Sequence, residues 1–81
     1  MKNVKEVNPE IGKLLKDFRE QKLKMSQRGF AKAIGTEQST IYRWENGKTT
    51  PTLTLPQVRA LITLISENGL NPVKDFPFDE N

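Results

Sequence analysis

The chain of 81 residues carries 13 Lys and Arg against 10 Asp and Glu, no His and no Cys, and 35% hydrophobic residues. That is one small domain, near the lower size at which a single core sustains itself. Without Cys there is no disulfide framework, any metal would find only carboxylates, and without His the commonest general base is missing, so neither an enzyme nor a cofactor or metal site is expected. No apolar run approaches the ~20 residues of a membrane span, and no basic-then-apolar leader opens the sequence, so a cytoplasmic protein without a membrane partner is expected. The charge is unevenly divided. Residues 1–52 hold 11 Lys and Arg against 6 Asp and Glu, a net +5, and residues 53–81 hold 2 against 4, a net −2. A basic front and an acidic back fit either a polyanion partner or a solvated basic surface.

In chain order, residues 1–8, with Lys2 and Lys5, read as a flexible basic arm: a tail that touches a polyanion or a frayed terminus. Asn8-Pro9 is a helix start, and Ile11, Leu14, Leu15 and Phe18 follow at i, i+3, i+4 and i+7, which predicts an amphipathic helix over about residues 9–21. Ser26 caps the next helix, whose apolar face is Phe30, Ala31 and Ile34 and whose stop is Gly35. A third helix begins after Gly35 with Thr36 or Glu37 as cap and ends at Asn46-Gly47. At ~100° per residue, Ile41 and Trp44 face the core while Gln38, Ser39, Tyr42, Arg43 and Asn46 share the opposite arc.

Thr54 and Pro56 open the longest apolar helix, through Leu55, Val58, Leu61, Ile62 and Ile65, closed by Gly69. Asn71-Pro72 starts a fifth, short helix carrying Val73 and Phe76, and residues 77–81 form an acidic tail. The expected fold is all-α: five helices in one compact domain spanning residues 9–76.

Two short helices joined by Ile34-Gly35-Thr36 define a helix-turn-helix over about residues 26–46. Gly permits the sharp turn, and the small Ala31 permits close approach of the two helices. The run from Ser26-Gln27 through Phe30-Ala31, Ile34-Gly35-Thr36, Gln38-Ser39-Thr40-Ile41 and Trp44-Glu45-Asn46-Gly47-Lys48 resembles the Cro and phage-repressor family, also called the xenobiotic-response-element family. Residues 11–19 resemble that family's first helix, and residues 51–76 its fourth and fifth. The resemblance implies a lambda-repressor-like domain whose third helix enters the major groove of double-stranded DNA.

It also implies roles. Gln38 and Ser39 match the first base readers and Arg43 a variable base-reading position, with Tyr42 and Glu37 beside them as further candidates. Gln27 matches the Gln that holds a phosphate and braces the first reader. Asn46 and Lys48 match phosphate contacts, and Ser26 and Arg28 are candidates for the same task. Arg19 and Glu45 match an ion pair between the first and third helices. Gln suits adenine, Arg suits guanine, and amides and Lys suit phosphates. Tyr42 is either a base or sugar contact or an ordinary surface aromatic, Arg43 without the motif would be solvated charge, and Arg28 and Lys32 are phosphate contacts or solvated charge.

Three departures stand out from the family pattern. The stretch Gln21-Lys22-Leu23-Lys24-Met25 is one residue longer than usual, Gly29 replaces an acidic residue, and Glu37 replaces a small hydroxyl or Asp cap. Glu37 could cap the helix, accept from cytosine N4, or repel phosphate.

The leading functional expectation is a sequence-specific transcriptional regulator, a repressor acting at an operator. The alternatives are an antitoxin that also binds a toxin, using the tail with Phe76 and Phe78, and a protein-interaction adaptor with a merely structural motif. The polar arc of Gln38, Ser39 and Arg43 counts against the adaptor. A homodimer is expected through Leu70, Val73 and Phe76, too many apolar residues for so short a segment to bury alone; closure of the monomer's own core is the other reading. A further protein partner would be a toxin or polymerase.

Overall fold

The structure, a computed structural model, describes residues 9–77. The expected basic arm (1–8), and Phe78 with the rest of the acidic tail to residue 81, lie outside the described residues. Helix α1 is Pro9–Asp17 and runs directly into a π-helical turn, Phe18–Leu23. Helices α2 (Gln27–Ile34), α3 (Gln38–Glu45) and α4 (Leu55–Glu67) follow. None of these helices is long and apolar enough to cross a membrane.

The stretch before α2 is taken up by this π turn. A π turn closes i→i+5 and so holds one more residue per hydrogen-bonded loop than an α turn. Lys24 ends it in the left-handed region (φ 55°, ψ 46°), and the Arg19 carbonyl accepts the amides of both Lys24 and Met25. The chain therefore reverses within three residues and starts α2 at Ser26, whose Oγ accepts the Gly29 amide at 3.0 Å.

Helix α2 ends at Gly35 (φ 83°), where Ala31's carbonyl accepts the amides of Gly35 and Thr36 at 2.9 and 2.8 Å. Only Gly takes that conformation without cost, and it sets α3 across α2. Helix α4 starts with a reciprocal cap: Thr54 Oγ1 accepts from the Gln57 amide and Gln57 Oε1 accepts from the Thr54 amide. Gln57 Nε2 also donates to the Gly35 carbonyl at 3.2 Å, tying α4 to the turn.

Leu15, Phe18, Leu23, Phe30, Ala31, Ile34, Ile41, Trp44, Leu61 and Ile65 form one buried cluster drawn from every helix. Of the predicted stripe positions in α1 and α4, Ile11 and Val58 are half-buried outside this cluster and three are exposed. Leu14 is half-exposed at the edge of the α1 stripe, Ile62 is 40% exposed, and Leu55, in the first turn of α4, is 78% exposed. Periodicity assigns a face; it does not say how wide the covering neighbour is.

The helix count also changes. Residues 71–76 form one turn instead of a fifth helix, so the described residues hold four helices. The Asn71-Pro72 signal does start helical geometry, with Asn71 Oδ1 accepting from Val73 and Lys74 and the Asp75 amide bonding the Asn71 carbonyl. Pro77, lacking an amide hydrogen, ends it at once. Pro77 is buried, so the packed chain continues one residue beyond 76, into the stretch expected to be tail.

Candidate nucleic-acid interface

Helix α3 is held from behind. Gly12 of α1 lies against its C-terminal end so closely that a Cβ there would fall inside contact distance of the Trp44 carbonyl oxygen and 2.9 Å from that of Glu45. Beside this contact, Arg19 Nε and Nη2 donate to Glu45 Oε2 and Oε1 at 2.7 and 2.9 Å, and Nη1 donates to the Met25 carbonyl at 2.7 Å. Both residues are buried. The hydrogen bonds to Glu45 hold the Arg19 guanidinium pKa above its already high ordinary value, against the opposing cost of burial. A bidentate Arg–carboxylate pair of this kind fixes angle as well as distance.

The pair has an outlet to the surface. Gln27 Nε2 donates to Glu45 Oε1 at 3.0 Å, and Gln27 Oε1 accepts from Gln38 Nε2 at 3.5 Å. A chain of polar contacts thus runs Arg19–Glu45–Gln27–Gln38, from the core to the first residue of α3. The commitment of Gln27 to a carboxylate settles its amide orientation, because only nitrogen can donate there.

Gln38, Ser39, Tyr42, Arg43 and Asn46 are all exposed on the outer side of α3, opposite the buried Ile41 and Trp44. Arg43 Nη2 donates to Thr40 Oγ1 at 3.4 Å, and Asn46 Nδ2 donates to the Tyr42 carbonyl at 2.8 Å, closing the end of α3. Ser26, Arg28 and Lys48 are exposed around that arc, and Gln27 is half-buried at its base. Glu37 occupies the N-cap of α3 in extended geometry, but its side chain makes no cap bond, so the first of its three possible roles is not the one it plays here.

The three residues assigned to dimer contact separate. Leu70 and Phe76 pack against the monomer core, whereas Val73 is 91% exposed. Two positions that hold the site in place were not identified from the sequence. Gln57 could have been, since Thr54-x-x-Gln57 is a capping-box spacing. Gly12 could not, because an isolated Gly in a helical pattern carries no signal of what lies over it.

The Helix-turn-helix family profile matches residues 15–55, half of the chain. The chain belongs to the Cro/C1-type helix-turn-helix family. Membership makes it a DNA-binding transcriptional regulator. Among solved structures, a restriction-modification controller protein from Aeromonas hydrophila is similar in fold, with TM-score 0.55 and 22% identity over 83% of this chain and 88% of that one. Hydroxypropylphosphonic acid epoxidase from S. wedmorenis is also similar, with TM-score 0.57 and 30% identity over 89% of this chain. The chain spans 35% of that enzyme's length, so the likeness is to one part of it. A comparison with curated proteins gives no match.

Proposed function

We propose that the protein is a sequence-specific repressor that occupies an operator in double-stranded DNA by laying α3 in the major groove. The observation that carries this is the polar chain from Arg19 and Glu45 to Gln27, which reaches Gln38 by a long 3.5 Å contact at the start of the exposed face of α3. A side chain held in advance loses less conformational entropy on meeting a base.

In this reading Gln38, Ser39 and Arg43 contact base edges, flanked by Tyr42 and Glu37. Ser26, Gln27, Arg28, Asn46 and Lys48 hold the backbone phosphates. Gln27 has a second amide hydrogen for a phosphate after bonding Glu45, and Ser26, whose oxygen already accepts from Gly29, retains its hydroxyl hydrogen. Two copies reading half-sites about one helical turn apart would supply the discrimination that one helix lacks, with Val73 the exposed apolar residue at the pairing surface and Leu70 and Phe76 beneath it. The A. hydrophila neighbour is likewise named as a controller.

Binding measured across salt concentrations tests the reading. A dimer making roughly 6–8 phosphate contacts gives a log–log slope of about −5 to −7, and a flat response overturns it. Arg43→Ala then costs about 1–3 kcal/mol on the best operator and relaxes one base pair, whereas Lys48→Ala weakens all sequences alike.

A further inference from the structure

We propose that Glu37 is a selectivity determinant of the DNA contact: its carboxylate opposes binding to DNA in general and is accommodated where a cytosine amino group meets it. This rests on the reading above, that the start of α3 enters the major groove.

The N-cap position makes the case. Ser26 and Thr54, the caps of α2 and α4, each accept an amide hydrogen from their own first turn. Glu37 stands at the same position of α3, in the same extended geometry (φ −104°, ψ 153°), and accepts none. Nor does any Lys or Arg pair with it among the described residues. Residues 26–48 contain one other acid, Glu45, which is buried and bonded to Arg19 and Gln27. Glu37 is therefore an exposed carboxylate, without a partner among the described residues, directly beside the base reader Gln38.

Base chemistry supplies the partner. In the major groove guanine shows two acceptors, thymine an acceptor and a methyl group, and adenine an acceptor beside its amino group. Cytosine alone shows a donor with no acceptor beside it. A carboxylate is repelled by phosphates everywhere and by acceptor edges at most base pairs, so it lowers affinity broadly and least where cytosine stands. Selectivity built from such a penalty on the wrong partners needs no gain in affinity for the right one.

The test selects from a randomised duplex library with wild type, Glu37→Gln and Glu37→Ser, then measures binding to the winning duplex and its single-base variants at several salt concentrations. Wild type is expected to select cytosine at one position per half-site beside that read by Gln38, with a loss of roughly ten-fold on changing it to thymine. Both variants should bind random duplex several-fold tighter, steepen the salt slope by about one unit per protomer, and reduce the cytosine preference below about three-fold. Glu37→Ser adds a capping hydroxyl and should melt no lower than wild type, so lost selectivity in that variant is not unfolding. Variants that tighten every duplex equally while keeping the cytosine preference, or a wild type with no cytosine position there, overturn the proposal and leave the DNA-binding reading standing. A wild type whose binding ignores salt removes that reading, and this proposal with it.

Discussion

Two sides of α1 and the π turn that continues it meet the rest of the protein in different ways. Toward α3 the contact is backbone on backbone at Gly12, continued by the buried Arg19–Glu45 pair, whose bonds each have a direction. Toward the C-terminal turn the contact is apolar and loose: Leu14, Phe18, Phe76 and Pro77 line an open groove of about 360 Å³, with Asp17, Lys22 and Asp75 at its rim. The first contact fixes α3 to within the tolerance of a hydrogen bond. The second lowers free energy by removing area from water and tolerates sliding. Positional constraint is concentrated at α3, and the far side supplies stability that many packings could supply.

Five substitutions can break or sharpen this contrast, and urea unfolding checks each. Glu45→Ala leaves the Arg19 guanidinium buried without its anion and should cost about 3–5 kcal/mol. A loss below about 1 kcal/mol would show the pair to be ornamental. Gly12→Ala should cost about 2–3 kcal/mol, because the methyl meets backbone carbonyls that cannot rotate away. Should it prove neutral, α1 and α3 do not approach as closely as described.

On the loose side, Phe76→Ala should cost about 1–2 kcal/mol, below the range for a fully buried Phe, while Val73→Ala should stay within about 0.5 kcal/mol. Equal effects at the two positions would contradict their different burial. Lys24→Gly should have a small effect of opposite sign, a gain of a few tenths of a kcal/mol, about 0.5 at most, from relieving a left-handed non-glycine residue. A loss there would mean that the Lys24 side chain contributes more than its backbone conformation costs.

The parts of the fold that were legible in the sequence are those written in local chemistry. Ser26, Gly35 and Thr54 mark helix ends because a side-chain oxygen or a missing Cβ acts within a few residues of itself. The opposition of Ile41 and Trp44 to Gln38, Ser39 and Arg43 follows from helical period alone. What could not be read depends on neighbours. Leu14 and Ile62 lie at edges of apolar stripes that no facing element fully covers. Residues 71–76 carry a valid helix start, and the Pro that cuts it short allows either a turn or a small helix. The candidate site was legible as a set of exposed polar residues, but the bond from Gln27 to Glu45 joins positions 18 residues apart and has no local trace.

The π-helical turn at Phe18–Leu23 bears on how such chains vary in length. A π turn holds one residue more than an α turn, and on either side of the extra length Arg19 reaches Glu45 and Ser26 caps α2. Removing one residue from the stretch 20–22 would convert the turn to α geometry and return the chain to the shorter spacing. The segment would then work as a slack loop in the length of the chain, a site expected to absorb a single-residue deletion locally. Two relatives that differ by one residue there would superpose on both sides of the gap, with the same side chains delivered to the same face of α3.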